Sequence, residues 1–316
     1  MKMSAALTIR VVTSLEEFKG LAREWEELLD RVPGHSLFLT WEWLYYWATH
    51  HLEDGQLRIL LASDEHECLV GIAPLYLRRT KAQGLISVRE LRWLGSEAVC
   101  SSYLDFIVQE RHKPALLQRL YRYLFNEARG EWDMLTLSDV PAESSTLDLW
   151  NELFAEAGKV GEVVRMTSCP VVRLPRDVGS YRAGLGRNRR YTLQRKTKCL
   201  AEAGRVHFTR ATNPADVEAA FESVVALHQQ RWSPRPGGGV FADERAKRFH
   251  RDIVRVLSER GRASLDLLLL DGRPIAGIYG FVYQGAYYFY LPGFAPDVLP
   301  KASPGLLVLY HRIQQA

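Results

Sequence analysis

The stretch that most constrains the fold lies in the C-terminal third. Asp271-Gly272-Arg273-Pro274-Ile275-Ala276-Gly277 opens a strand pair that ends in Tyr287-Tyr288-Phe289-Tyr290, followed by Gly293-Phe294 and then Ser303-Pro304-Gly305-Leu306-Leu307. The order reads as strand, tight turn, further strands, and a loop whose last residues begin a helix. A helix start after an open strand gathers unpaired backbone N–H groups at a positive dipole end, which suits a phosphate or pyrophosphate. Ser303 fits the N-cap and Pro304 the first turn. Ser-Pro-Gly also opens purely structural helices, so the wider arrangement has to decide.

At 316 residues, 47% hydrophobic and 25% charged, the chain is globular and long enough for two domains. No window approaches the apolar length of a membrane span, and Met1–Leu7 runs into Thr8-Ile9-Arg10 without the apolar core of a signal peptide, so a cytoplasmic protein with no membrane insertion is expected. Cys68, Cys100, Cys169 and Cys199 form no CxxC pair; they are expected to be buried or half-buried thiols, and no metal site is expected. A net charge of +4 is too small to imply DNA or RNA by itself.

Along the first half, a strand over Leu7–Val12 precedes a helix capped by Ser14 with Glu17 three residues on, expected to run to about Asp30. A second helix after Pro33-Gly34 carries Phe38, Trp41, Trp43, Tyr45, Tyr46 and Trp47, whose rings cover much of its circumference, as core packing or a substrate wall would. A hairpin is expected across Asp64–Glu67, with Pro74 marking an edge or bulge. Another strand pair is expected near Arg89–Leu94 and Tyr103–Val108, then helix, strand and helix to about Ala157. The second half repeats the plan after a linker at Leu174–Tyr181, giving domains over 1–174 and 175–316, each a mixed α/β sheet flanked by helices.

Charge is uneven. Between Val178 and Ala201 stand seven basic residues, Arg182, Arg187, Arg189, Arg190, Arg195, Lys196 and Lys198, and no acidic one. Most must face solvent or a cleft, because the apolar line of the predicted helix through Leu193 and Leu200 is narrow. A solvated face is one reading; recognition of an anionic group is the other, since guanidinium matches phosphate geometry.

Taken in order, Gly186-Arg187-Asn188-Arg189-Arg190-Tyr191, Gln194-Arg195-Lys196, Leu227-His228-Gln229-Gln230-Arg231-Trp232, Arg248-Phe249-His250, Gly272–Ala276, Tyr288–Tyr290 with Gly293-Phe294, and Ser303-Pro304-Gly305 resemble the GNAT-like acetyltransferases of the CelD-like (cellulose biosynthesis) type. These are distant relatives of the FemAB-type aminoacyltransferases. The resemblance implies two tandem GNAT-like folds with mixed, mostly antiparallel sheets flanked by helices. The C-terminal fold would hold acetyl-CoA or another acyl-CoA, its pyrophosphate on the helix start at Ser303, Pro304, Gly305 and Leu306. The chain lacks the fuller glycine-rich acyl-CoA loop of ordinary GNAT enzymes, and relatives continue with further strands, so the second fold is expected to be unfinished.

The implied reaction is transfer of an acyl group to a small or sugar-like amine, in exopolysaccharide or cell-envelope biosynthesis. It needs a base for the amine and an acid for the leaving thiolate. His228 and His250 are the candidate bases and Tyr290 the candidate acid, with Tyr288 beside it. Arg231 and Trp232 join Arg187, Arg190, Tyr191, Lys196 and Tyr288 as candidate substrate contacts. The alternatives are an aminoacyl-tRNA-dependent transferase, a non-catalytic accessory of polysaccharide assembly, and an inactive fragment.

Overall fold

The computed structural model describes residues 7–315 other than 54, 83, 85 and 98, so the leader question at Met1–Ala6 and the terminal Ala316 lie outside the described residues. The chain divides into two compact units, Met1–Thr167 and Ser168–Ala316.

The first unit runs β1 (Thr8–Val12), α1 (Leu15–Gly20), α2 (Ala22–Leu29), α3 (Trp41–His51), β2 (Gln56–Ser63), β3 (Leu69–Ala82), β4 (Ile86–Trp93), β5 (Ile107–Val108), α4 (Lys113–Arg122), β6 (Met134–Thr136) and α5 (Ser145–Glu156). Its sheet has the order β1-β2-β3-β4-β6, antiparallel except for the parallel β4–β6 pair, with β5 attached to β3. Ser14 caps α1, its Oγ accepting the Glu17 N–H at 3.2 Å. The predicted single helix to Asp30 is broken at Leu21, directly after Gly20, where backbone freedom weakens a helix.

The aromatic run on α3 is core. Trp43 and Trp47 are buried, and Trp41 and Tyr45 stack at 4.5 Å. Two buried indoles also donate across the unit: Trp43 to Ser101 Oγ at 2.8 Å and Trp25 to Leu39 O at 2.9 Å.

Three expectations fail in this unit. Pro74 lies in β3, a central strand and not an edge; its missing N–H falls where β5 pairing ends at Ile72 and β4 pairing begins at Leu75, so no ladder bond is lost. The segment over Tyr103–Val108 pairs with β3 and not with the Arg89–Leu94 strand. Cys68 and Cys100 are exposed and not buried or half-buried; of the two cysteines in the second unit, Cys169 is likewise exposed and Cys199 is half-buried as expected.

The second unit runs α6 (Val178–Gly184), α7 (Arg187–Ala201), β7 (Val206–Ala211), α8 (Pro214–Trp232), α9 (Glu244–Glu259), β8 (Ala263–Leu270), β9 (Arg273–Tyr283), β10 (Ala286–Phe294) and α10 (Pro304–Gln314). The predicted linker ends in α6, because Asp177 caps it by accepting the Ser180 N–H at 2.8 Å. The strands form an antiparallel meander, β7-β8-β9-β10, the same consecutive order as β1-β2-β3-β4 in the first unit.

Period-two alternation divides the side chains of this sheet between two layers. On one face, α8 and α9 bury Phe221, Val224, Phe249 and Ile253 with Tyr279 and Phe281 of β9. On the other, Leu200 of α7 and Leu307 and Val308 of α10 pack with Leu268, Ala276 and Ile278. That second face also holds a charge. Asp266 on β8 is 2% exposed and accepts from Arg210 Nε at 2.8 Å and Ser264 Oγ at 3.2 Å, with Arg312 Nε of α10 at 3.7 Å. The Arg312 guanidinium lies over the Tyr287 ring at 4.3 Å, so one carboxylate ties β7, β8 and α10 together.

Candidate active site

The start of α10 is shaped by its preceding turn. Leu299 and Ser303 both adopt left-handed backbone, with φ of 47° and 51°. The sequence assigns Ser303 a capping hydroxyl, but this hydroxyl does not cap: Ser303 Oγ accepts from Lys196 Nζ of α7 at 2.5 Å. The Leu306 and Leu307 N–H groups reach Ser303 O, while the Gly305 N–H has no partner among the described residues. A lysine ammonium thus stands at the positive end of a helix dipole, an arrangement disfavoured until an anion neutralises both. Gly305 itself is sterically fixed, since an added Cβ would lie 3.1 Å from Phe294 Cδ1.

The left-handed Ser303 gives a stability prediction. Ser303→Gly removes the Cβ penalty at φ 51° but also a charge-assisted hydrogen bond of similar worth, so the urea unfolding free energy is expected to change by less than about 1 kcal/mol. The same change withdraws the acceptor from Lys196.

The second group of candidates lies across the sheet. His228 on α8 is 2% exposed, and Gly239, at φ +78°, presses on it so closely that a Cβ would lie 2.5 Å from His228 Cε1. Burial first, then the neighbouring Arg231 charge, holds the His228 pKa down from 6.5 to about 4, so the ring is neutral at physiological pH. Its Nδ1 is buried without a hydrogen-bond partner. His250 on α9 is fully buried, its ring 5.6 Å from Phe241, 5.6 Å from Tyr279 and 5.4 Å from Tyr290. Phe241 joins the two histidines, lying 4.9 Å from His228.

Tyr290 is the extra residue of a β-bulge. Phe289 pairs with Gly280 and Leu291 with Tyr279, which leaves Tyr290 unopposed and turns its ring toward His250. β10 also approaches α8 at backbone distance: a Cβ on Gly293 would sit 2.5 Å from His228 N.

Beyond His228 the helix ends in a cationic cluster. The Arg231 guanidinium lies over Trp232 at 5.0 Å and over Phe294 at 4.7 Å, and Arg235 lies over Trp232 at 4.7 Å. Burial and the Arg235 charge lower the Arg231 pKa, and its Nε is buried without an acceptor.

The structure therefore gathers His228, His250, Tyr290, Arg231 and Trp232 around α8, α9 and β10, with the half-buried Tyr288 on the same strand. It places Lys196, Ser303, Pro304, Gly305 and the exposed Leu306 at the start of α10. Arg187, Arg190 and Tyr191 remain exposed on α7; Arg190 donates to Ala183 O at 3.0 Å and borders a cavity of about 600 Å³ with Phe208 and His311. The sequence did not single out Arg235, which lies in the turn beyond the end of α8, where helix spacing gives no signal.

Residues 187–316 match the model of the acetyltransferase (GNAT) domain. Within the C-terminal unit, residues 187–316 are thus similar to a GNAT domain. This match spans α7 to α10 and so includes both groups of candidate residues. No curated protein matches the chain. Solved structures with similar outlines include a conserved protein of unknown function from Bacteroides thetaiotaomicron, at 10% identity and TM-score 0.46, covering 98% of this chain and 86% of that one. Another is the C-terminal domain of a protein named as a lysylphosphatidylglycerol synthetase from Agrobacterium fabrum, at 12% identity and TM-score 0.48, covering 96% and 75%. A third is a GCN5-related glucosamine N-acetyltransferase region in a fungal multi-domain GH3 β-N-acetylglucosaminidase, at 11% identity and TM-score 0.37, covering 99% of this chain but 34% of that one. The GNAT domain match, and not these remote likenesses, bears on function. Among the described residues no group of three His, Cys, Asp or Glu could hold a metal ion, and no helix is long and apolar enough to cross a membrane.

Proposed function

We propose that the chain is an acyl-CoA-dependent N-acyltransferase of the CelD-like type, acting in the cytoplasm on a small or sugar-like amine of envelope polysaccharide synthesis. The N-terminal GNAT-like domain would be 1–174 and the catalytic one 175–316. The observation that carries the reading is Lys196 donating to Ser303 at the positive end of α10, inside a segment that matches the GNAT domain. An ammonium, an unpartnered Gly305 N–H and a helix dipole there all favour the same thing, a bound diphosphate.

In this reading the amine nitrogen attacks the thioester carbonyl, a C–N bond forms, and the C–S bond breaks. His228, neutral and with a free Nδ1, takes the proton that the amine loses; His250 stands behind Tyr290, which protonates the departing thiolate.

Calorimetric titration with acetyl-CoA tests the reading. The parent protein is expected to bind, and Lys196→Gln to bind about tenfold more weakly, the loss of one charge-assisted phosphate contact. A folded parent that binds no acetyl-CoA would overturn it.

A further inference from the structure

Arg231 and Arg235 are two cations within reach of one indole, and neither is paired with a carboxylate among the described residues. Like charges so placed repel, and no nearby acid offsets the repulsion. The Arg231 Nε is buried and has no acceptor among the described residues, which leaves the guanidinium short of one hydrogen bond. These observations point to an absent anion.

Its position is set by a row of contacts. Gly305 abuts Phe294, Phe294 lies under Arg231, Arg231 lies over Trp232, and Trp232 lies under Arg235. Trp232 also stacks on His228, with centroids 6.0 Å apart. Lys196 and the start of α10 are at one end of the row and Arg235 is at the other, with His228 stacked on the Trp232 ring between the two arginines.

We infer that Arg231 and Arg235 form a second anion subsite, separate from the α10 start, which binds a carboxylate or phosphate carried by the acceptor amine itself. The inference rests on the donor reading above and narrows it: the acceptor is an anionic amine and not a neutral one. Guanidinium groups suit this task because each presents a planar fork of donors to two oxygens. Trp232 lies 5.0 Å from the Arg231 guanidinium carbon and 4.7 Å from that of Arg235, so one indole holds the two cations close together. The loop that follows is built to lie close: Gly237, Gly238 and Gly239 all have positive φ, and a side chain at Gly239 would strike both His228 and Trp232.

The test follows the arginine side-chain Nε–H resonances of the full-length protein during titration with inorganic phosphate, alone and with saturating coenzyme A. The Arg231 and Arg235 signals are expected to move in both titrations. Arg235→Gln, at an exposed position, is expected to weaken phosphate binding at this site about tenfold while leaving coenzyme A affinity unchanged. Signals that stay fixed at high phosphate would overturn the inference. So would an Arg235→Gln protein that loses coenzyme A affinity to a similar degree, because the anion would then be the donor's. A parent that ignores coenzyme A but still shows the phosphate shifts would remove the donor reading and keep the subsite.

Discussion

Asp266→Ala is expected to destabilise the C-terminal unit by about 3–5 kcal/mol, the usual cost of stranding buried charge. The carboxylate is 2% exposed and is the acceptor for Arg210 at 2.8 Å, with Arg312, itself 7% exposed, at 3.7 Å. Without it, Arg312 keeps its place over Tyr287 but has no counter-charge in a buried setting. Asp266→Asn should cost less, because an amide oxygen can still accept from Arg210. Urea unfolding of the three proteins, read by far-UV circular dichroism, checks the ranking. Equal stability of Asp266→Ala and the parent would show that Arg312 and Arg210 find water instead.

His228 should make the same unit sensitive to acid. Its folded pKa is depressed to about 4 from 6.5, so below pH 6.5 the unfolded chain binds a proton that the folded one refuses. Stability is complete above pH 6.5 and is lost as pH falls toward 4, by about 3 kcal/mol for a shift of this size. His311 on α10, stacked on Phe208 at 4.0 Å, is also depressed by burial and acts in the same direction. The contribution of His228 is therefore isolated by difference: His228→Phe should show a flatter dependence of unfolding free energy on pH between 4.5 and 7. Parallel slopes for the two proteins would mean that the ring is solvated in the folded state.

The meander of the C-terminal unit was legible because its signals are local. Gly272 and Gly285 mark turns with φ of +81° and +72°, the run between them is almost wholly apolar, and Asn213 and Pro214 announce α8. The capping box at Ser14 and the core role of Trp43 and Trp47 were legible for the same reason. What could not be read was set by partners distant in sequence. Pro74 looks like an edge residue until β4 and β5 are known to meet beside it. The Ser303 hydroxyl looks like a cap until a lysine 107 residues away claims it. At the candidate site, residue types and order were visible in the chain, but Arg187 and Tyr191 share the same basic run as Lys196 and only Lys196 reaches the start of α10. Rotation about the helix axis separates the side chain that meets Ser303 from the solvated ones, and the hydrophobic pattern of α7 is too sparse to fix which face is inward.

The contact between Gly293 and the backbone at His228 has a mechanical meaning. A strand and a helix with no room for a methyl group between them cannot slide independently, so β10 and the last turns of α8 behave as one rigid lever. Anything that displaces the end of β10 near Phe294 is transmitted to His228, Arg231 and Trp232 together. A methyl group at Gly293 would therefore have to part the strand from the helix before it could be accommodated.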